Sequence, residues 1–227
     1  MQEHILKQFD RDLSTLKDRI LLMAGLVEAH VAEAMTALSQ QDRASAERLA
    51  RSDRPVNLLE MECDELCTRM IAQWQPTASD LRFVVAALKI TTDLERIGDL
   101  ATHIAERAVE LAAEPPFVSS VDLPAMAALA SSMVHRSLDA FVREDVDLAL
   151  EVLSSDDEID KLHAELFRNL LTIMGQDPRS ISRTMRQLFI SKYLERIGDH
   201  ATNIAEMVIF MVKGRSIRHL DTVPREL

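Results

Sequence analysis

Apolar residues recur three and four apart along almost the whole of this 227-residue chain, the period of α-helices that bury one face. Over 5–40 the residues Leu13, Leu16, Ile20, Met23, Val27, Val31, Met35 and Leu38 fall on one stripe and predict a first long helix. Asp42 is placed to cap a second helix over 43–74. Pro55 must kink or interrupt that helix, because it has no N–H and its ring collides with the preceding turn. Pro76 and Ser79 punctuate the chain before a third helix over 79–113. The run Glu114-Pro115-Pro116-Phe117-Val118-Ser119-Ser120 reads as a linker. Three more helices are predicted over 124–143, 145–174 and 179–213. Gly175 and Pro178 break the last two apart and Gly214 ends the series.

The six helices are two copies of three. Leu94-Glu95-Arg96-Ile97-Gly98-Asp99 returns unchanged as Leu194-Glu195-Arg196-Ile197-Gly198-Asp199. Over 94–106 and 194–206 only Leu100/His200 and His103/Asn203 differ. A weaker correspondence upstream pairs Gln41-Asp42 with Glu144-Asp145, and the segment from Asp53 to Asn57 with that from Asp156 to Asp160. A tandem duplication of a three-helix unit predicts an all-α fold of two antiparallel three-helix bundles, side by side with pseudo-two-fold symmetry. The expected divisions are 1–113 for the first repeat, 114–123 for the linker, 124–214 for the second repeat and 215–227 for a mobile tail.

Composition agrees with helices. Aromatic residues make up 4% and there are only five Gly and seven Pro, too few for the turns and strands of a sandwich or barrel. The 26 basic and 37 acidic residues leave a net charge of −11. That argues against nucleic-acid binding, which rests on phosphate neutralisation. The N-terminal 1–11 has no signal-peptide core, and no uninterrupted apolar run approaches the roughly 18 residues of a membrane span. A cytoplasmic protein that reaches the membrane only through partners is expected. Cys63 and Cys67 share a helix face and are expected to be buried as small apolar groups.

The repeated motif carries the candidate chemistry. With Glu95 at 0° on a helical wheel, Asp99 lies at about 40°, Glu106 at about 20° and His103 at about 80°. Helix 6 repeats the stripe as Glu195, Asp199, Asn203 and Glu206. Helix 2 offers Asp53, Asn57 and Glu60, and helix 5 offers Asp156, Asp160 and His163, each at i, i+4, i+7. Like charges four apart on a helix cost a few tenths of a kcal/mol, and a mid-helix Gly98 or Gly198 costs about 1 kcal/mol against Ala. Both costs are spelled identically in the two halves. Oxygen ligands four apart can share a divalent cation, whose charge would relieve their repulsion. The added His and Asn widen the choice among Fe, Zn, Mn, Mg and Ni. In the competing reading, Arg96 and Arg196 neutralise the carboxylates and no metal binds. A di-iron oxidase would need two Glu-x-x-His pairs, and Asp160-Lys161-Leu162-His163 is the nearest approach. Phosphate-loop, nucleophile-elbow and zinc-protease signatures are absent. No catalytic residue is therefore assigned. His30 and His135, as lone helical histidines, read as ordinary surface or core residues.

The doubled Leu-Glu-Arg-Ile-Gly-Asp, followed by Ala-Thr and Ile-Ala-Glu in an acidic helical chain of this length, closely resembles the PhoU family. The resemblance implies a regulatory adaptor and not an enzyme. It implies a role restraining phosphate uptake and keeping the phosphate regulon off when phosphate is plentiful. The implied partners are the phosphate transporter's ATPase subunit, the regulon's sensor histidine kinase and a second copy of the chain as a homodimer. It also implies metal on paired Glu/Asp-x-x-x-Asp motifs. By position these are Glu95 and Asp99 with Asp53 and Asn57, and Glu195 and Asp199 with Asp156 and Asp160. His103, Glu106, Asn203 and Glu206 are possible further ligands. Asn57 stands where the second half has the carboxylate of Asp160, and Leu100 and His103 depart from the family's usual His and Asn, so the first site is expected to differ. The alternatives are a carboxylate-bridged metal oxidase and a purely structural scaffold. A metal-loaded stripe is further expected to present an electropositive patch for phosphate or an acidic partner.

Overall fold

The duplication appears in the computed structural model as two matching sets of helices. It describes residues 2–52, 54–114 and 123–217, with side chains from residue 7 onward. The first set is α1 (Gln2–Gln40), α2 (Arg43–Leu49), α3 (Arg54–Trp74) and α4 (Ala78–Ala112). The second is α5 (Leu123–Arg143), α6 (Val146–Ser154), α7 (Asp156–Gln176) and α8 (Ile181–Lys213), with a 3₁₀ turn at Pro178–Ser180 leading into α8.

Each predicted second helix is therefore divided in two. The first break follows from Pro55, which sits at the second position of α3, where a missing N–H costs least. The second break, within the predicted 145–174, was not expected, because neither Pro nor Gly marks it. Local hydroxyl bonding makes it instead. Ser155 Oγ donates to the Glu151 carbonyl at 3.0 Å and accepts from Arg136 Nη2 at 2.9 Å, in competition with regular helix bonding. Asp156, Asp157 and Glu158 then open α7, where carboxylates suit the positive end of the helix dipole. α7 also runs past Gly175 to Gln176, so Pro178 and not the glycine sets its end.

The turns that enter α2 and α6 are near copies. Gln41 and Glu144 adopt left-handed backbone at φ 52° and 55°. Asp42 and Asp145 then cap the helices, accepting from Ser45 N at 3.1 Å and Leu148 N at 3.0 Å.

The third long helices of the two repeats, α4 and α8, pack antiparallel at the centre. Their register is fixed by Arg82 Nε on the Met211 carbonyl (3.1 Å), Asp93 with Asn203 (3.2 Å), His103 with Tyr193 (ring centroids 5.4 Å) and Glu110 with Arg186 (2.7 Å). α1 and α3 pack on α4, α5 and α7 pack on α8, and α1 meets α5. One continuous core, from Leu16 and Ile20 through Ile97 and Ile104 to Ile197 and Ile204, runs through both repeats. A stretch of α1 within Lys7–Gln40 is long and apolar enough by composition to cross a membrane, contrary to the reading of its uninterrupted runs. Its stripe Leu16, Ile20, Met23 and Val27 is wholly buried against the neighbouring helices, as expected of an amphipathic core helix. Cys63 and Cys67 are buried. The linker residues 115–122 and the tail residues 218–227 lie outside the described residues. Of the preceding residues, Ile217 is 6% exposed.

Gly198 lets α7 approach α8 closely, whereas Gly98 leaves room for a side chain. A Cβ at Gly98 would lie 3.4 Å from Val56 Cγ1, an ordinary contact, whereas one at Gly198 would lie 3.1 and 3.2 Å from two carbons of Ile159. The two glycines should therefore respond oppositely to the same change. Gly98→Ala gains helix propensity of up to about 1 kcal/mol and should raise the midpoint of urea denaturation. Gly198→Ala must displace Ile159 and should lower it. A midpoint that rises for both substitutions would show that Ile159 yields freely.

Candidate carboxylate sites

Both Glu-x-x-x-Asp stripes face the seam between the central helix and its outer neighbour. In the first repeat α3 brings Asn57 and Glu60 to Glu95 and Asp99 of α4. Burial raises the Glu95 carboxyl above its ordinary range, repulsion from Asp99 and Glu60 adds to this, and Arg96 opposes it. Glu60 is raised by burial and by Asp64, again with Arg96 opposing. Glu60 is thus part of the cluster, although the family motif did not single it out. Its place three residues after Asn57 was the available signal. The Arg96 guanidinium lies 3.3 Å from both Glu95 and Asp99, an internal countercharge for this half. Asp53 lies outside the described residues.

In the second repeat α7 brings Asp156, Asp160 and His163 to Glu195 and Asp199 of α8. Asp156 Oδ1 is buried with no hydrogen-bond partner. Burial first, then repulsion from Asp160, Asp199, Asp157 and Glu195, pushes its carboxyl from 3.8 to about 6. Asp199, at the solvent rim, is raised by desolvation and by Glu195, with Lys192 opposing. Lys192 Nζ binds Glu195 at 2.6 Å and supplies the countercharge that Arg96 supplies in the first half. Ser191 Oγ donates to the Leu188 carbonyl at 2.9 Å, so His163 Nδ1, 3.0 Å away, is the donor to Ser191. That fixes the tautomer and leaves Nε2 as an acceptor. Burial also lowers the His163 pKa and favours this neutral form.

The further ligand candidates divide between seam and surface. Asn203 Nδ2 donates to Asp93 Oδ1 at 3.2 Å, alongside His200 Nδ1 at 2.8 Å. His103 packs by Tyr193 at the pseudo-symmetric place. These side chains are used in joining α4 to α8. Glu106 lies 3.6 Å from Arg107, and Glu206 is half-buried. Among the described residues, no three His, Cys, Asp or Glu side chains already stand close enough to hold a metal ion. What the second site offers is an excess of carboxylates, one of them half-buried with an oxygen, Asp156 Oδ1, that has no hydrogen-bond partner.

Comparison with known proteins gives a consistent result. A family model described as the PhoU domain matches residues 20–108 and again 123–208. The chain is 42% identical over 221 residues to the phosphate-specific transport system accessory protein PhoU homolog of Pseudomonas putida, covering 97% of this chain and 86% of that protein. It is 37% identical over 220 residues to the phosphate-specific transport system accessory protein PhoU of Escherichia coli K12, covering 97% and 91%. Among solved structures it is similar to PhoU from Pseudomonas aeruginosa, with a TM-score of 0.88 and 41% identity, covering 91% of this chain and 100% of that one. It is also similar to the phosphate transport system regulatory protein PhoU from Streptococcus pneumoniae, with a TM-score of 0.82 and 28% identity, covering 92% and 99%.

The crowding at Asp156 has a pH signature. A carboxyl raised in the folded state favours folding fully below its unfolded value of 3.8, and that contribution is lost as pH rises through about 6. Metal-free protein at pH 7 should therefore be less stable than its Asp156→Asn variant. The difference should be on the order of 1 kcal/mol, after discounting the shift for solvent screening. It should vanish near pH 4. Urea denaturation in chelator at the two pH values measures it, and equal stability at pH 7 would remove the claim of a crowded site.

Proposed function

This chain belongs to the PhoU family, and on that premise we propose that it is a regulatory adaptor of phosphate uptake. It restrains the phosphate transporter and keeps the phosphate regulon off when phosphate is plentiful. It does so in the cytoplasm by coupling the transporter's ATPase subunit to the regulon's sensor histidine kinase. The observation that carries the proposal is the near full-length likeness to proteins named for accessory service to phosphate transport. A role by binding also suits a surface whose distinctive groups are unreacted carboxylates on rigid helices. The homodimer belongs to the same proposal.

Metal binding is the finer part of it. The buried, unpartnered Asp156 Oδ1 and the raised carboxyls of Asp156 and Asp199 support a divalent ion at the second repeat. Asp156, Asp160, Glu195 and Asp199 would hold it. It would supply positive charge against their repulsion, as Fe, Zn, Mn, Mg or Ni all could. Lys192 must give up Glu195 for the ion to bind. The first repeat fits less well, because Arg96 already spans Glu95 and Asp99 and Asn57 brings no charge. Four carboxylates outweigh one dication, so the loaded second site stays net negative. The electropositive patch expected from the sequence is accordingly not part of this mechanism.

A deletion strain of the source organism grown in ample phosphate should show high alkaline phosphatase, brought low again by this chain in trans. Activity that stays low in the deletion strain would count against the adaptor. Ala at Glu95, Asp99, Glu195 and Asp199 together should leave helicity intact, reduce bound metal by elemental analysis and leave alkaline phosphatase high. A folded, metal-free variant that still represses would separate regulation from metal.

A further inference from the structure

We propose that His163 Nε2 is a ligand of the ion at the second repeat, which makes this half a mixed nitrogen and oxygen site for an imidazole-binding transition ion such as Zn²⁺. The inference rests on the reading that the second repeat holds a dication, and deepens it by naming the class of ion. Asp156, Asp160, Glu195 and Asp199 alone offer oxygen, the donor that suits Mg²⁺ and Mn²⁺. An imidazole nitrogen suits Zn, Fe and Ni, and so tells these ions apart from Mg²⁺. The buried Asp156 Oδ1, without a hydrogen-bond partner, marks the cluster as short of positive charge.

Geometry places the imidazole at one end of that cluster. His163 follows Asp160 by three residues on α7, about 4.5 Å along the axis, so the two side chains leave the same face. In helical bundles an acid and a histidine at this spacing supply ligands to metal sites, although the acid there is the longer Glu. Across the seam, Ser191 precedes Glu195 by one turn of α8. Ser191 is wholly buried and its Oγ lies 3.0 Å from His163 Nδ1, which pins the ring in the α7–α8 seam. Both Glu195 and Asp160 favour positive charge at the ring. Ser191 donates its own proton to the Leu188 carbonyl, so the ring's Nδ1–H is the donor to Ser191 and the Nε2 lone pair is left for an ion. Metal-bound histidines carry this arrangement, one nitrogen on the ion and the other donating to a fixed oxygen.

The duplication gives a contrast within the same chain. Val56 and Ile159 meet Gly98 and Gly198, and the same alignment pairs Asn57 with Asp160 and Glu60 with His163. The first repeat thus has a carboxylate where the second has an imidazole, and Arg96 lies beside its Glu95 and Asp99. Thr91, the counterpart of Ser191, donates to carbonyls of its own helix, those of Ala87 and Leu88. The hydroxyl is common to both halves, and the second half adds a ring for it to hold. An ion at the first repeat would meet oxygen donors and a competing guanidinium. The two halves therefore differ in the kind of ion they take.

The test uses the full chain carrying Glu95→Gln/Asp99→Asn, so that the second site is read alone, with Zn²⁺ and Mg²⁺ as probes. Long-range proton–nitrogen correlation spectra of the imidazoles report His163 directly. It is identified by its Nδ1–H tautomer and by its absence in His163→Gln. Equimolar Zn²⁺ should move the Nε2 resonance, and Mg²⁺ should leave it in place. In calorimetric titrations His163→Gln should weaken Zn²⁺ binding about tenfold or more and change Mg²⁺ binding by less than about twofold. His163→Glu installs the first-repeat residue and should strengthen Mg²⁺ binding while weakening that of Zn²⁺. Both variants should keep the parent's helical circular dichroism, and the spectra are read with His163 in place, so they decide the matter even where a variant unfolds. Zn²⁺ that binds without moving the Nε2 resonance would overturn the nitrogen ligand and leave the carboxylate site standing. Equal losses of Zn²⁺ and Mg²⁺ in His163→Gln would do the same. A parent that binds neither ion would overturn the carboxylate site as well.

Discussion

The antiparallel packing of α4 on α8 is the constraint from which the rest of the molecule follows. A three-helix unit of this length has one face too many to bury. Joining the two units along their third helices merges two small cores into one, and burying each large aliphatic side chain contributes about 1.5–3 kcal/mol. The seam also sets the pseudo-two-fold relation, because its contacts come in related pairs. Asp93 with Asn203 and His200 on one side answers His103 with Tyr193 on the other. Once α4 and α8 are fixed, α3 and α7 are placed against them, with Val56 over Gly98 and Ile159 over Gly198. Both carboxylate clusters are built on that second contact, so their geometry is inherited from the core.

Sequence reading reached the helices and the duplication because both are periodic signals, one at 3.6 residues and one near 100. It reached Pro55 because proline breaks helices by covalent structure. It missed the break at Ser155, which depends on hydroxyl bonds to Glu151 and Arg136. Arg136 stands on a different helix, so no local pattern contains it. The stripe residues nearest 0° on the wheel, Glu95 and Asp99, were placed correctly in a shared cluster. His103, at about 80°, lies where a helix face turns toward its neighbour, and only the position of α8 decides that it packs by Tyr193. Asn203 was drawn away for the same reason, since its partner Asp93 lies outside the repeated motif. Glu60 and His163 sit at equivalent places on α3 and α7. The wheel put them on the stripe, but their different chemistry hid the equivalence from a comparison of identities.

The two clusters are copies that have diverged in charge. The first has Glu60 beside Glu95 and the Arg96 countercharge on both Glu95 and Asp99. The second replaces Glu60 with a neutral imidazole and Asn57 with Asp160. Its lysine engages Glu195 and leaves Asp156 without a partner. A buried carboxylate without a partner costs more than a paired one. Among the described residues that cost falls at Asp156; its first-half counterpart, Asp53, lies outside them.

Duplication also makes the surface interpretable. In a chain without internal symmetry, an exposed phenylalanine is weak information, since much of any protein surface is apolar. Here each half reports what the architecture needs at a given position, and the other half reports what has been added. At the seam and the capping turns the halves agree in structure: Asp42 and Asp145 cap alike, and Gln41 and Glu144 share the same left-handed backbone. At Asp64/Phe167 and Lys89/Phe189 the second half carries the apolar residue, and at Leu58/Lys161 the first half does, so the exchange of apolar for polar runs in both directions. Packing accounts for one of them, since Phe189 stacks on Tyr193, which in turn packs by His103 of α4. What sets the second repeat apart is its carboxylate cluster, where Asp156 Oδ1 has no hydrogen-bond partner.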